Sequence, residues 1–168
     1  MALTQYAEGM KKQFTATGYV VNVERARMLM VFHKGLQCWL PPGGHVDPDE
    51  FPSDTVLREV QEETGVTACH SEKPSLDLQL NGSTETQLPT PFAMAAQLIP
   101  ESYKDIEHIH MDMMYLLEAE DSVAITAQEL EVDAVRWFNR QEVLEGLTTT
   151  DSVRTFAREH LTAPAAAR

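Results

Sequence analysis

The chain has 168 residues, 43% of them hydrophobic and 23% charged, which is ordinary for a globular protein and enough to bury one core. Its formal net charge of −13, with the basic residues scattered, repels phosphate backbones and anionic surfaces, so long nucleic acid and membranes are not expected partners. Two cysteines, Cys38 and Cys69, are too few for a disulfide framework; with no signal-peptide pattern and no run near the ~18 apolar residues of a membrane helix, the expected location is the cytoplasm.

In chain order, residues 3–13 fit a short helix. Residues 15–23 and 27–33 are β-rich, and Asn22, Glu24 and Arg25 suit a turn between them. A second turn near Lys34-Gly35 leads to Trp39-Leu40 and then to Pro41-Pro42-Gly43-Gly44. Residues 53–64 read as a helix closed by Gly65, a good left-handed residue after a helix end. Residues 66–70 start another strand, and residues 71–89, rich in Ser, Asn, Gly and Thr, read as a long loop. Strands are expected at 92–99, 109–117 and 134–138, followed by helical stretches near 140–146 and 150–161. The Ala-rich tail 163–168 is expected to be disordered, leaving residues 1–162 as one domain. Strands and helices do not alternate strictly, so the pattern favours a mixed sheet with helices packed on it over a doubly wound fold.

Chemistry concentrates in residues 44–66, GHVDPDEFPSDTVLREVQEETGV. Glu59, Glu62 and Glu63 stand at relative positions 0, 3 and 4, which on a helix places them within about 100° of one another. Val56, Leu57 and Val60 lie on the adjacent face and anchor it. Like charges at these spacings repel by a few tenths of a kcal/mol each, and near a helix C-terminus the dipole adds to the cost. A hard divalent cation offsets both, because Mg²⁺ takes oxygen ligands from a few carboxylates together with substrate phosphates. A Glu triplet alone is equally a solvated helix face; the Gly-rich loop ahead of it, Glu50, Arg58 and Gly65 supply the specificity.

Gly44, Glu50, Arg58-Glu59-Val60, Glu62-Glu63 and Gly65-Val66 match the Nudix box, G-x5-E-x7-R-E-U-x-E-E-x-G-U with U apolar, at every specified position. The chain therefore resembles the Nudix hydrolase superfamily, which implies a Nudix-type α/β/α sandwich with a mixed β-sheet. The resemblance implies Glu59, Glu62 and Glu63 as metal ligands, joined by the Gly43 carbonyl. Gly44, Glu50, Arg58 and Gly65 would brace the site. It also implies Mg²⁺ as cofactor (Mn²⁺ as substitute), a small nucleotide or diphosphate substrate, and a homodimer as one assembly state. Two departures stand out. Asp47-Pro48-Asp49 replaces the glycine often found beside the box glutamate, and Asp tolerates left-handed backbone there. Phe51 occupies the usual N-cap position, so Ser53 or Asp54 is expected to cap the helix.

The implied reaction is hydrolysis of a phosphoanhydride by metal-activated water. Glu59 or Glu62 is a candidate catalytic carboxylate, and Glu129 and Glu131 on a downstream loop are candidate general bases. Both also read as parts of a solvated acidic loop. Trp39, His110 and Tyr115 are candidate substrate contacts, although Phe32, Trp39, Tyr115 and Trp137 equally suit a core, as do the methionines. His108, His110 and Asp112 alternate along one strand and share a face, which suits strand polar contacts or substrate contacts better than a transition-metal site. The alternative to an enzyme is a regulatory module of the same fold that binds a nucleotide without cleaving it; the intact box glutamates favour the enzyme.

Overall fold

The computed structural model describes residues 8–71, 76–80, 84–101, 106–127 and 132–163. Eight strands form one sheet: β1 (Lys12–Asn22), β2 (Arg27–His33), β3 (Cys38–Leu40), β4 (Gly43–His45), β5 (Cys69–His70), β6 (Ala93–Ile99), β7 (His108–Ala119) and β8 (Val132–Asn139). Helix α1 (Pro52–Thr64) follows β4, and a π-helical turn (Glu142–Gly146) and α2 (Asp151–His160) close the described chain.

The sheet runs β3-β2-β1-β7-β5, with β4 also paired to β1, β6 to β7 and β8 to β2. β1 and β7 are parallel along eleven residues, from Lys12 opposite Ile109 to Asn22 opposite Ala119. The other pairings are antiparallel, so the sheet is mixed, as the pattern predicts.

Alternation along the central strands divides the apolar residues between two cores. Ala16, Val20, Leu29, Tyr115 and Leu117 face α1 and meet Val56 and Val60. Tyr19, Val21, Met28, Met30, Met114, Leu116 and Phe138 face the other way, against Val143 of the π-helical turn and Val153, Phe156 and Ala157 of α2. Helix, sheet and helix thus form the three layers that the box resemblance implies. Among the described residues no helix is long and apolar enough to cross a membrane.

Several local expectations change. Lys12 and Gln13, placed in an N-terminal helix by the sequence reading, open β1 instead because β7 pairs with them; residues 3–7 lie outside the described residues. Only Cys69 and His70 of the strand expected at 66–70 pair with β7. The tail beyond Ala163 lies outside the described residues. Met28, Met30 and Met114 are core, but Met94 is 62% exposed on β6. Cys38 and Cys69 are free thiols. The N-cap of α1 is Phe51, with no side-chain cap. Pro52 at the first turn has no N–H to satisfy, and the Asp54 and Thr55 amides both donate to the Phe51 carbonyl, so neither Ser53 nor Asp54 is needed as a cap. At the other end Gly65 takes φ +71° and its N–H donates to the Gln61 carbonyl, the left-handed ending expected of it.

Candidate active site

The box loop is pinned from below by β1. Gly43, Gly44 and His45 pair with Thr17, Ala16 and Thr15, and the Gly18 amide donates to the Pro42 carbonyl at 2.8 Å. A side chain at Gly44 would meet the Glu59 carboxylate, since a Cβ there falls 2.3 Å from Oε1. Gly44, the first box glycine, thus lets α1 approach closely and brings the Glu59 carboxylate directly against the loop backbone.

Arg58 is the hub of the charged cluster. Its Nε donates to Glu50 Oε1 at 3.0 Å and its Nη2 to Glu50 Oε2 at 2.9 Å, a bidentate pair. Its Nη1 donates to Glu59 Oε1 at 2.8 Å and to Glu62 Oε2 at 3.1 Å. Glu50 also accepts from the Thr55 hydroxyl at 2.7 Å, so the carboxylate ties the loop to the first and second turns of α1. These hydrogen bonds, those from Arg58 first, hold the Glu50 carboxyl below the ordinary glutamate range. The Arg58 guanidinium is correspondingly held in its charged form, chiefly by Glu50 and then by Glu59 against the opposing effect of burial.

Glu63 points elsewhere. It is 5% exposed, and its Oε2 accepts the Gly43 N–H at 3.1 Å. Glu50, Glu59 and Glu62 thus bring three formal negative charges to one guanidinium, and Glu63 adds a fourth carboxylate against the loop backbone. That is an oxygen-rich, net-anionic donor set, and it fits a hard divalent cation such as Mg²⁺. The turn ahead of Glu50 closes with its N–H on the Asp47 carbonyl at 3.1 Å. Neither Asp47 nor Asp49 has positive φ, so the left-handed residue expected from the missing glycine is not needed: Pro48 presets a turn that other residues can complete.

Beside this loop lies a cleft of ≈ 510 Å³ bordered by Gln13, Phe14, His45, Val46, Glu50 and Met113 among others, within the size range of small-ligand pockets. A smaller depression of ≈ 320 Å³, between Leu76–Leu78 and Thr86–Thr90, involves no box residue.

The remaining candidates scatter. Trp39 is half-buried, edge-on to Phe32 and Phe138 at 5.4 and 4.7 Å. Tyr115 is 3% exposed in the core under α1, edge-on to His70, so its ring is a packing element there and has no open face for a base. Burial first, and Asp54 second, push its phenol upward. Glu129 and Glu131 lie outside the described residues. Asp112 is 3% exposed and accepts from Thr17 and Thr15 at 2.7 and 3.1 Å and from Gln97 at 3.3 Å. Burial pushes its carboxyl up and the two threonines draw it back; these are strand polar contacts of the kind expected from the alternating pattern. His110, by contrast, meets His108 and also His45. His45 was missed by sequence reasoning; the available signal was its place directly after Gly43-Gly44.

Comparison with known proteins bears on family and fold. The NUDIX domain family model matches residues 12–158. A Lactococcus lactis protein described as a probable DHNTP pyrophosphohydrolase is 31% identical over 116 residues, 69% of this chain and 60% of that protein. The rat bis(5'-nucleosyl)-tetraphosphatase (asymmetrical) is 51% identical over 41 residues, 24% of this chain and 28% of the rat protein; the chain thus aligns with less than a third of that relative's length. Among solved structures, a NUDIX-family hydrolase from Clostridium perfringens superposes with a TM-score of 0.74 at 20% identity, covering 90% of this chain and 97% of the other. A Caenorhabditis elegans Ap4A hydrolase gives 0.60 at 14% identity, covering 87% and 93%. At these identities the two structures speak to the fold.

Proposed function

This chain belongs to the NUDIX family, and from that membership we propose that it is a Mg²⁺-dependent pyrophosphohydrolase. Its substrate is a nucleoside triphosphate, or a nucleoside diphosphate joined to another group, and Mn²⁺ substitutes for Mg²⁺. The observation that carries the reading is the complete box folded so that Glu59 and Glu62 meet on Arg58 while Glu63 binds the backbone of the glycine loop. Relatives named as a tetraphosphatase and a pyrophosphohydrolase support the reaction class.

Glu59, Glu62, Glu63 and the Gly43 carbonyl are the groups that would hold the metal. When bound, Mg²⁺ supplies charge neutralisation on phosphoryl oxygens and lowers the pKa of a water nucleophile. The chain's own residues supply position. Arg58 and Glu50 lock the loop to α1, Gly44 admits the Glu59 carboxylate to the loop, and Gly65 ends the helix where the last ligand stands. Water loses its proton to a carboxylate, either Glu59 in the box or Glu129 or Glu131 downstream. Trp39 and His110 remain the proposed substrate contacts. The same reading takes residues 1–162 as the catalytic domain of a cytoplasmic enzyme with small-molecule partners only, with no membrane or long nucleic acid, and with a homodimer as the state to look for by light scattering.

The test is release of nucleotide with phosphate or pyrophosphate from a panel of nucleoside di- and triphosphate compounds in Mg²⁺. Cleavage of one class, with Glu62→Gln slowed by about 100- to 1,000-fold, supports the reading. Nucleotide binding with no cleavage of any compound would replace it with a regulatory module. Separate Gln substitutions at Glu59, Glu129 and Glu131 assign the base through loss of the acidic limb of the kcat profile.

A further inference from the structure

We propose that His45, His108 and His110 form a second metal site, built for a borderline transition-metal ion of the Zn²⁺ type and separate from the box carboxylates. One ring nitrogen from each of the three lies within 4.8 Å of the other two. The Nε2 atoms of His108 and His110 are 3.0 Å apart, and the His45 and His110 rings are 4.8 Å apart at 86°. Tetrahedral Zn²⁺ with Zn–N near 2.0–2.1 Å needs nitrogens about 3.3 Å apart, so His108 and His110 would open by a few tenths of an ångström and the wider-spaced nitrogens, up to 4.8 Å apart, would close around the ion.

The hydrogen bonding around His108 already has the form of a ligand. Its Nδ1 is 2.6 Å from the Ile106 carbonyl, which can only accept, so Nδ1 carries the proton. In the neutral ring Nε2 then presents a lone pair, and it points at His110. An imidazole oriented by a backbone carbonyl on its far nitrogen is the arrangement that fixes tautomer and direction in histidine metal ligands. His108 is 4% exposed and is held there by the sheet. His110 donates across the 3.0 Å contact and would ligate in its other tautomer, with no net proton exchanged.

The sheet places the site away from α1. β4 pairs His45 with Thr15, and β7 pairs His110 with Gln13. Thr15 and Gln13 are two apart on β1, so the histidines share the face that carries Tyr19 and Met114 further along. Gly44, one residue before His45, contacts Glu59 on the opposite face. The same stripe holds the Gln13 Oε1, a buried acceptor with no hydrogen-bond partner among the described residues. It is a ready acceptor for water in the fourth position that three protein nitrogens leave open. Three imidazoles suit Zn²⁺, Co²⁺ or Cu²⁺, whereas Mg²⁺ prefers the all-oxygen set on α1, so the two sites select different ions.

The experiment is a titration of the chelator-stripped protein with Zn²⁺ by calorimetry, and with Co²⁺ by visible absorption, both in excess Mg²⁺. One equivalent should bind, with the d–d bands of four- or five-coordinate Co²⁺. His45→Ala and His110→Ala, at positions that are not buried, should each weaken binding by about 100-fold or more, with folding checked by circular dichroism. Glu62→Gln should bind as the wild type does, although it slows the proposed hydrolysis by about 100- to 1,000-fold, so the two readings fail separately. In the wild type, Zn²⁺ should shift the ring signals of His45, His108 and His110 in NMR spectra and leave His33, His70 and His160 in place. Absence of saturable binding, binding that survives both histidine changes, or binding lost with Glu62→Gln overturns the proposal.

Discussion

Arg58→Ala takes away the guanidinium to which Glu50, Glu59 and Glu62 are all bonded. Charge-assisted hydrogen bonds are worth about 1.5–3 kcal/mol where water is excluded, but Arg58 is 31% exposed and Glu62 48%, so screening reduces the total. A loss of about 1–3 kcal/mol in urea unfolding is expected, and less than 0.5 kcal/mol would mean that the cluster does not brace the loop. Glu50 adds a pH signature. Its carboxyl is lowered in the folded protein by Arg58, so its stabilisation is complete above the unfolded value near 4.3 and is lost as pH falls through the lower folded value. Buried Asp112 is shifted upward and acts with the opposite sign, so the wild-type acid profile contains both contributions. Comparison with Glu50→Gln isolates Glu50: the variant should be less stable at neutral pH and its stability should fall less steeply below about pH 4.5. Parallel profiles would show that Glu50 is not coupled to folding.

At the scale of elements, two box glycines should fail in different ways. Gly65→Ala must hold a side chain at φ +71°, where its Cβ meets only ordinary contacts, the nearest at 3.5 Å. The cost is backbone strain alone, about 1 kcal/mol of stability, with turnover retained. Gly44→Ala drives a Cβ into Glu59, so turnover should fall much further than thermal stability does; equal turnover losses in the two variants would refute the distinction. These helix-end and loop constraints were legible in the sequence, because a Glu-rich helix ended by glycine is set by short-range rules. What was not legible depended on partners distant in the chain. Lys12 and Gln13 are strand because Ile109 and His110 pair with them. The run Gly43–His45 is strand only because Thr15–Thr17 lie alongside it, since glycine has little β preference of its own. Tyr115 and His110 are five residues apart on β7, but opposite faces sent one to the core under α1 and the other to the histidine cluster. No periodicity within β7 says which face a helix will cover, and His45 becomes interesting only once β1 brings β4 and β7 to either side of it.

For the molecule as a whole, its net negative charge opposes compaction. A formal net charge of −13 places mutually repelling carboxylates on one small fold, and the three loop-facing glutamates of α1 are a local maximum of that repulsion. Monovalent salt screens the general field, with a Debye length near 10 Å at 0.1 M. It does little for carboxylates held within a few ångströms of one another. A cation that binds only the folded arrangement adds a further stabilisation of RT ln(1 + [L]/Kd), about 1.4 kcal/mol at ten times Kd and about 2.7 kcal/mol at one hundred times. The melting temperature should therefore rise with Mg²⁺ beyond the rise produced by NaCl at equal ionic strength. For a chain of this size the excess should be a few degrees. Glu62→Gln should retain the salt response and lose most of the excess, because it removes a ligand while leaving the net charge strongly negative. If Mg²⁺ and NaCl stabilise the wild type equally, the carboxylates of α1 are a screened surface and the cofactor assignment fails. If the excess persists in Glu62→Gln but disappears in Glu63→Gln, the ion is held by the buried glutamate bonded to Gly43, and the more exposed Glu62 serves chemistry more than binding.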